Sequence, residues 1–306
     1  MTKRVGNARS RWSVTQAISL GFTALAGTAV ASIVLLFVGE SLPIWREIES
    51  GFPLGKLWYF RLGQFGTLPM LYGTAAVAGV AMLLAAPLGI GAAIFSAEYL
   101  PPAPRMAFKV AIELLAGVPS VVYGLLGILV LRGVVYDGLR ALGLDPLSGD
   151  SLLTAGLLLS VMLLPTVMTL ADDALRAVPA TQRQAARGLG LTRGQMIRSV
   201  TLPQAWRGLV AAVMLALGRA VGEMIAVFLV VGRQDNQLPA NLFTLSPLIE
   251  AGQTLASKLG GPETNIAYGD PVHWGAMIGL GLILLVIVTA CTLCGALLGG
   301  RADYDA

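Results

Sequence analysis

An arginine and a glutamate four residues apart inside an apolar run are the side chains of this sequence best placed to do chemistry. They stand in Leu215-Ala216-Leu217-Gly218-Arg219-Ala220-Val221-Gly222-Glu223-Met224-Ile225-Ala226-Val227. A charge at the centre of a spanning helix costs roughly 2.5–3.5 kcal/mol on insertion scales, so it usually faces a partner or a cavity. Helical spacing puts Arg219 and Glu223 on one face, within reach of each other. One reading is a self-neutralising pair that locks helix packing, helped by Gly218 and Gly222 as a small-x-x-x-small seam. The other is an anion path. Arg219 is then a fixed cation that Glu223 holds while the path is empty, and an oxyanion displaces the carboxylate by accepting bidentate hydrogen bonds from the guanidinium.

The elements that must position this pair are membrane helices. Of the 306 residues 56% are hydrophobic and only 12% charged, and mean hydropathy is +0.75; a soluble domain carries about 25% charged residues. A crossing needs about 20 apolar residues. Six windows qualify: 17–38, 72–96, 107–131, 151–171, 208–232 and 272–299. The first is too long for the core of a signal peptide and is followed by five more, so it is expected to stay as an anchor. The expected architecture is an all-α membrane protein of six transmembrane helices, with a single transmembrane domain at 17–300, an N-terminal tail at 1–16 and a C-terminal tail at 301–306.

Basic residues set the orientation. With a cytoplasmic N-terminus, thirteen Lys and Arg fall in inside segments and seven outside, which favours both termini in the cytoplasm. This topology accounts for the net charge of +4. Nucleic acid is not an expected partner, because no clustered basic face interleaved with aromatics is present; the lipid bilayer is. The outer loops at 39–70, 132–150 and 233–271 are rich in Gly, Pro and Asp and too small for a solute-binding domain. High-affinity uptake would need a separate binding protein.

Other polar positions are read more plainly. Pro119, in Val118-Pro119-Ser120, breaks the third helix and frees polar backbone groups that only protein or a water-lined cavity can tolerate. Beside that break, Ser120 and Tyr123 offer hydroxyls to an oxyanion, with a simple packing kink as the alternative. Pro165 is a second candidate flexure, and Lys109 and Glu113 form an expected interfacial ion pair. Cys291 and Cys294 lie in an apolar run and suit packing, and His273 suits an interfacial structural role.

Between the fourth and fifth windows lies a polar island, 172–206. Pro179 suits the first turn of a helix over Thr181 to Arg187, which Gly188 and Gly190 end. Thr192 caps a second helix that Leu202-Pro203 is expected to stop before the fifth crossing. Ala185, Ala186, Gly188 and Gly190 give the first helix a low-profile face for docking.

The register of Gln184-Ala185-Ala186, Gly190 and Val200-Thr201-Leu202-Pro203 resembles the EAA motif of ABC importer permeases, with Gln184 in place of the family's acid and Val200 in place of its Ile. The resemblance implies the type I importer fold, with a cytoplasmic coupling loop at 172–206 docking on a separate ATPase. Coupling would then fall to Gln184, Ala185, Ala186, Gly190, Leu202 and Pro203. The chain has no phosphate-cradling G-x-x-x-x-G-K-[ST] loop of its own. It is therefore expected to be a transport subunit rather than an enzyme, with no cofactor or metal, and with ATP and Mg bound by partner subunits.

Four segments narrow the resemblance to phosphate-specific transport permeases of the PstC type: Phe65 to Thr74, Glu113 to Gly124, Asp172 to Pro179, and Gly218 to Glu223. This implies a substrate path containing Arg219, Glu223, Ser120 and Tyr123. The implied partners are a homologous PstA-type permease, two PstB-type ATP-binding subunits and an extracytoplasmic PstS-type phosphate-binding protein, in the bacterial cytoplasmic (inner) membrane. A lone guanidinium does not discriminate among tetrahedral anions, so sulfate and molybdate stay open as cargo. A passive anion channel or scaffold would leave the EAA register without purpose, and no His, Cys or carboxylate cluster at membrane depth favours an intramembrane enzyme.

Overall fold

In lipid every backbone N–H and C=O must find a partner within the protein, so long apolar runs become helices. The computed structural model describes residues 14–47, 51–239 and 246–300. Residues 1–13 of the N-terminal tail and the tail at 301–306 lie outside the described residues. Helix α1 (Val14–Arg46) precedes a two-residue hairpin, β1 (Trp58–Tyr59) paired antiparallel with β2 (Gln64–Phe65), and α2 (Leu68–Ile94), which a wider turn extends to Tyr99. Then come α3 (Pro102–Ala116), α4 (Ser120–Leu126) continuing to α5 (Arg132–Ala141), and α6 (Leu152–Arg176). The island holds α7 (Ala180–Gly188) and α8 (Arg193–Met196), which leads without a stop into α9 (Leu202–Val221). After α10 (Ile225–Val230) come the short α11 (Ser246–Ile249), α12 (Leu255–Leu259) and α13 (Glu263–Ala267), and finally α14 (Pro271–Gly300).

Six helical stretches among the described residues are long and apolar enough to cross a membrane: Val14–Arg46, Leu68–Tyr99, Ser120–Ala141, Leu152–Arg176, Arg193–Val221 and Pro271–Gly299. Two windows are broken, the first of them at the proline expected to break it. The window at 107–131 is split at Gly117-Val118-Pro119, so that the unbroken apolar helix starts only at Ser120. The window at 208–232 is interrupted at Gly222-Glu223-Met224.

The core forms where small residues let helices approach. A Cβ on Gly156 of α6 would lie 2.6 Å from Val80 of α2, and one on Gly89 of α2 would lie 2.8 Å from Val167 of α6. On the other side of α9, a Cβ at Gly218 would meet Thr292 and Cys291 of α14 at 3.2 and 3.5 Å, which places Cys291 in helix packing. Helix α1 is different. Its most apolar stretch buries nothing, and only Ser41 and Ile44 near its end are buried. There the backbone at Glu40 and Ile44 lies against Gly275.

The hairpin and the loop at 233–271 share a buried polar centre. Lys258, 2% exposed, lies 2.6 Å from Asp235 and 2.5 Å from Glu263. Glu263 also accepts from Trp58 Nε1 at 2.6 Å and lies 3.0 Å from His273 Nε2, whose ring stacks on Phe60. His273 thus has the structural role expected of it. Burial pushes both carboxyls up; for Asp235 it prevails over Lys258, whereas at Glu263 the contacts with Lys258, Trp58 and His273 hold the group below the usual carboxylate range. A depressed carboxyl contributes its stability in full above the ordinary range and loses it as pH falls through the folded value. Thermal stability in detergent is therefore expected to drop on acidification below that range. In Glu263→Gln the protein should be less stable at neutral pH and this part of the acid dependence should vanish.

Candidate substrate path and coupling surface

Two helix breaks adjoin one buried cluster. Val118, Tyr123, Ala220, Val221 and Ala226 all pack in it, and α4 lies so close to α10 that a Cβ on Gly124 would be 3.2 Å from the Ala226 Cα. The first break follows from Pro119. Its ring nitrogen carries no hydrogen, which leaves the carbonyl four residues earlier, that of Leu115, without its helical donor. Tyr123 covers that carbonyl, its hydroxyl donating at 2.9 Å while the side chain is buried. The expected oxyanion donor is thus committed to holding the break. Ser120, half-buried in the first turn of α4, keeps its hydroxyl without a hydrogen-bond partner among the described residues.

The second break separates Arg219 from Glu223. Helix α9 ends at Val221, and among the described residues no ion pair joins the two side chains. Arg219 is exposed and donates from Nη1 to Thr166 Oγ1 of α6 at 3.0 Å. Glu223 instead accepts from the N–H of Ala226 at 3.3 Å. A carboxylate there satisfies one of the free donors that begin α10 and suits the positive end of a helix. The self-neutralising pair expected from helical spacing is therefore absent, because the helix that would align it stops one turn early. Thr166 was visible in the sequence only as the neighbour of Pro165. Helix α6 runs unbroken through that proline.

On the opposite side of the bundle, α7 and α8 form the expected helix pair. Gly190 makes the turn at φ 79°, where a side chain would be strained. Thr192 and Gln195 build a reciprocal cap on α8. Leu202-Pro203 does not stop the second helix: a widened turn, Ile197–Thr201, absorbs the proline, and α9 follows directly. Gln184 and Ala185 are exposed, Leu202 is half-buried, and Pro203 is exposed. Ala186 is 4% exposed and faces inward, so the docking face is narrower than expected. Its most prominent apolar side chain is Leu189, 82% exposed.

Spacing gave no sign of what fixes α7. Arg183 reaches Glu98 at 2.6 Å and the Leu175 carbonyl at 2.5 Å, and the Glu98 side chain is only 2% exposed. A single acid closing the apolar second crossing was the one available signal. Nearby, Asp172 sits between Arg105 at 3.3 Å and Arg176 at 2.9 Å. Lys109 reaches Asp173 at 3.8 Å instead of its expected partner Glu113.

Six apolar helices, two helix breaks beside one buried cluster, and a helix pair between the fourth and fifth apolar runs define a multi-pass membrane transport subunit of the ABC importer permease class. The chain belongs to the binding-protein-dependent transport system inner membrane component family, which it matches over residues 85–303. It is 33% identical over 298 residues to the phosphate transport system permease protein PstC of Mesorhizobium japonicum, covering 90% of this chain and 88% of that protein. With the protein of the same name from Haemophilus influenzae it shares 32% over 282 residues, covering 88% and 86%. Among solved structures, the inward-facing MetNI methionine ABC transporter aligns with 76% of this chain and 93% of its own, with a TM-score of 0.54 at 18% identity, a likeness of fold.

Proposed function

We propose that this chain is the PstC-type permease subunit of an ATP-driven importer of inorganic phosphate. The relatives of that name, 33% and 32% identical along nearly the whole chain, support the cargo. The observation that carries an oxyanion path is the state of Arg219: exposed at the last turn before a break, bonded to a hydroxyl and paired with no carboxylate among the described residues. A guanidinium so placed keeps donors for a tetrahedral anion, and the Thr166 hydroxyl, accepting from Arg219, still has its own proton to give. Glu223, held on the backbone of α10, repels an anion that strays past Arg219. Ser120 is the second donor of the path, and Tyr123 shapes it by holding the break.

In this reading the permease is one unit at 17–300, with tails at 1–16 and 301–306 and both termini in the cytoplasm. The loop at 172–206 meets the ATPase through Gln184, Ala185, Gly190 and the exposed Leu189, while Ala186, Leu202 and Pro203 set its shape. Membership of the importer class implies ATPase and binding-protein partners. We assign these as two PstB-type subunits carrying ATP and Mg, a PstS-type binding protein and a PstA-type second permease. This chain contributes no cofactor and no covalent chemistry.

The test is radiolabelled phosphate uptake by cells carrying the complete transporter, with sulfate and molybdate as competitors. Uptake that neither anion reduces is the expected result. Uptake that sulfate or molybdate suppresses would move the cargo to those anions.

A further inference from the structure

We propose that the concave pocket between the start of α3 and the end of α6 binds the head group of an anionic phospholipid. The pocket holds about 410 Å3 and is lined by Leu100, Arg105, Met106, Lys109, Val110 and Arg176. The ends of two apolar helices point to its place at the membrane edge. Leu100 directly follows the crossing Leu68–Tyr99, and Arg176 is the last residue of the crossing Leu152–Arg176. Both crossings therefore end at this pocket, at the level where lipid phosphates lie.

The charges there are incompletely spent. Arg105 and Arg176 share the one carboxylate of Asp172, whose side chain is 3% exposed and so is closed off to other partners. Lys109 is only loosely held, 3.8 Å from an Asp173 side chain that is itself 62% exposed. Glu113 is the one acid on the wall, a turn beyond Lys109 along α3. A phosphodiester seated between Arg105, Lys109 and Arg176 would meet three cations.

The same helix supplies the apolar half of such a site. Met106, Val110 and Leu114 are 66%, 46% and 70% exposed, and their spacing sets them in a stripe along α3 beside the stripe of Arg105 and Lys109. Long cationic side chains beside exposed apolar ones suit a lipid, the cations snorkelling to the phosphate and the apolar stripe lying against an acyl chain. Basic pockets between membrane helices recognise anionic head groups in this way. The charge complementarity favours an anionic lipid over a protein strand, whose backbone is neutral and brings no formal negative charge to three cations.

The full chain, purified from bacterial membranes in detergent, would be titrated with phosphatidylglycerol and, separately, with phosphatidylcholine, reading bound lipid by native mass spectrometry. Wild type should prefer phosphatidylglycerol. Lys109→Gln should weaken that binding about fivefold, as expected for one cation at an anionic surface, and Lys109→Arg should restore it. Equal binding of the two lipids, or an unchanged preference in Lys109→Gln, would overturn the assignment. Release of phosphatidylglycerol by equimolar inorganic phosphate would assign the pocket to a free oxyanion. Crosslinking of Met106→Cys to a protein neighbour in preparations that retain no lipid would assign the face to that neighbour.

Discussion

Arg219→Gln is expected to lower phosphate uptake at least about 100-fold at matched membrane expression. Glutamine keeps a polar amide donor on a shorter side chain but loses the charge and the planar fork. Hydrogen bonds to charged groups are worth about 1.5–3 kcal/mol each. Losing two of them therefore costs about two decades or more, at 1.4 kcal/mol per decade. The packing reading predicts otherwise. Arg219 is exposed and its only hydrogen bond among the described residues is to Thr166, so the variant should fold and insert normally, as judged by yield and thermal stability. Retained uptake would remove Arg219 from the path. Glu223 provides an internal comparison: Glu223→Gln keeps an oxygen that can accept from Ala226, so it should disturb uptake much less than loss of the arginine.

The second large effect is expected at Arg183. Replacing it with Leu strands the Glu98 carboxylate, whose side chain is 2% exposed, and removes the donor to the Leu175 carbonyl. Breaking a buried pair by deleting one partner typically costs about 3–5 kcal/mol. Arg183→Leu should therefore lower the unfolding temperature markedly and, because the pair ties α7 to the end of the second crossing, disconnect ATP hydrolysis from uptake. Adding Glu98→Leu should recover most of the stability, since an apolar pair of similar volume is often as stable as the ions it replaces. Uptake need not return with it. An Arg183→Leu variant as stable and as well coupled as wild type would show that α7 is held by other contacts.

What the sequence made legible was what one element encodes by itself. The crossings follow from apolar run length, the break at Pro119 from a missing backbone donor, and the cap on α8 from Thr192, whose partner Gln195 only the structure supplies. Partnerships between distant segments were not legible. Arg219 and Glu223 looked like a pair because regular helical spacing was extended across Gly222, where the helix ends. Lys109 was matched with Glu113 for the same reason, whereas its nearer acid, Asp173, comes from α6. Tyr123 looked available to substrate because its hydroxyl is free in the sequence; only the fold brings it to the Leu115 carbonyl. Lys258 counted as one more exterior cation, although two acids and an aromatic face enclose it.

The separation of Glu98 from Arg183 also bears on how the protein is made. The partners stand 85 residues apart in the chain, and bacterial synthesis proceeds at about 5–20 residues per second. The second crossing thus leaves the ribosome roughly 4–17 s before the arginine that will neutralise its acid. During that interval the carboxyl is most cheaply carried at the water-facing edge of the bilayer. Its final burial must wait until the fourth crossing and α7 have emerged, so the last residues to fix the second crossing in place are those of the candidate coupling surface.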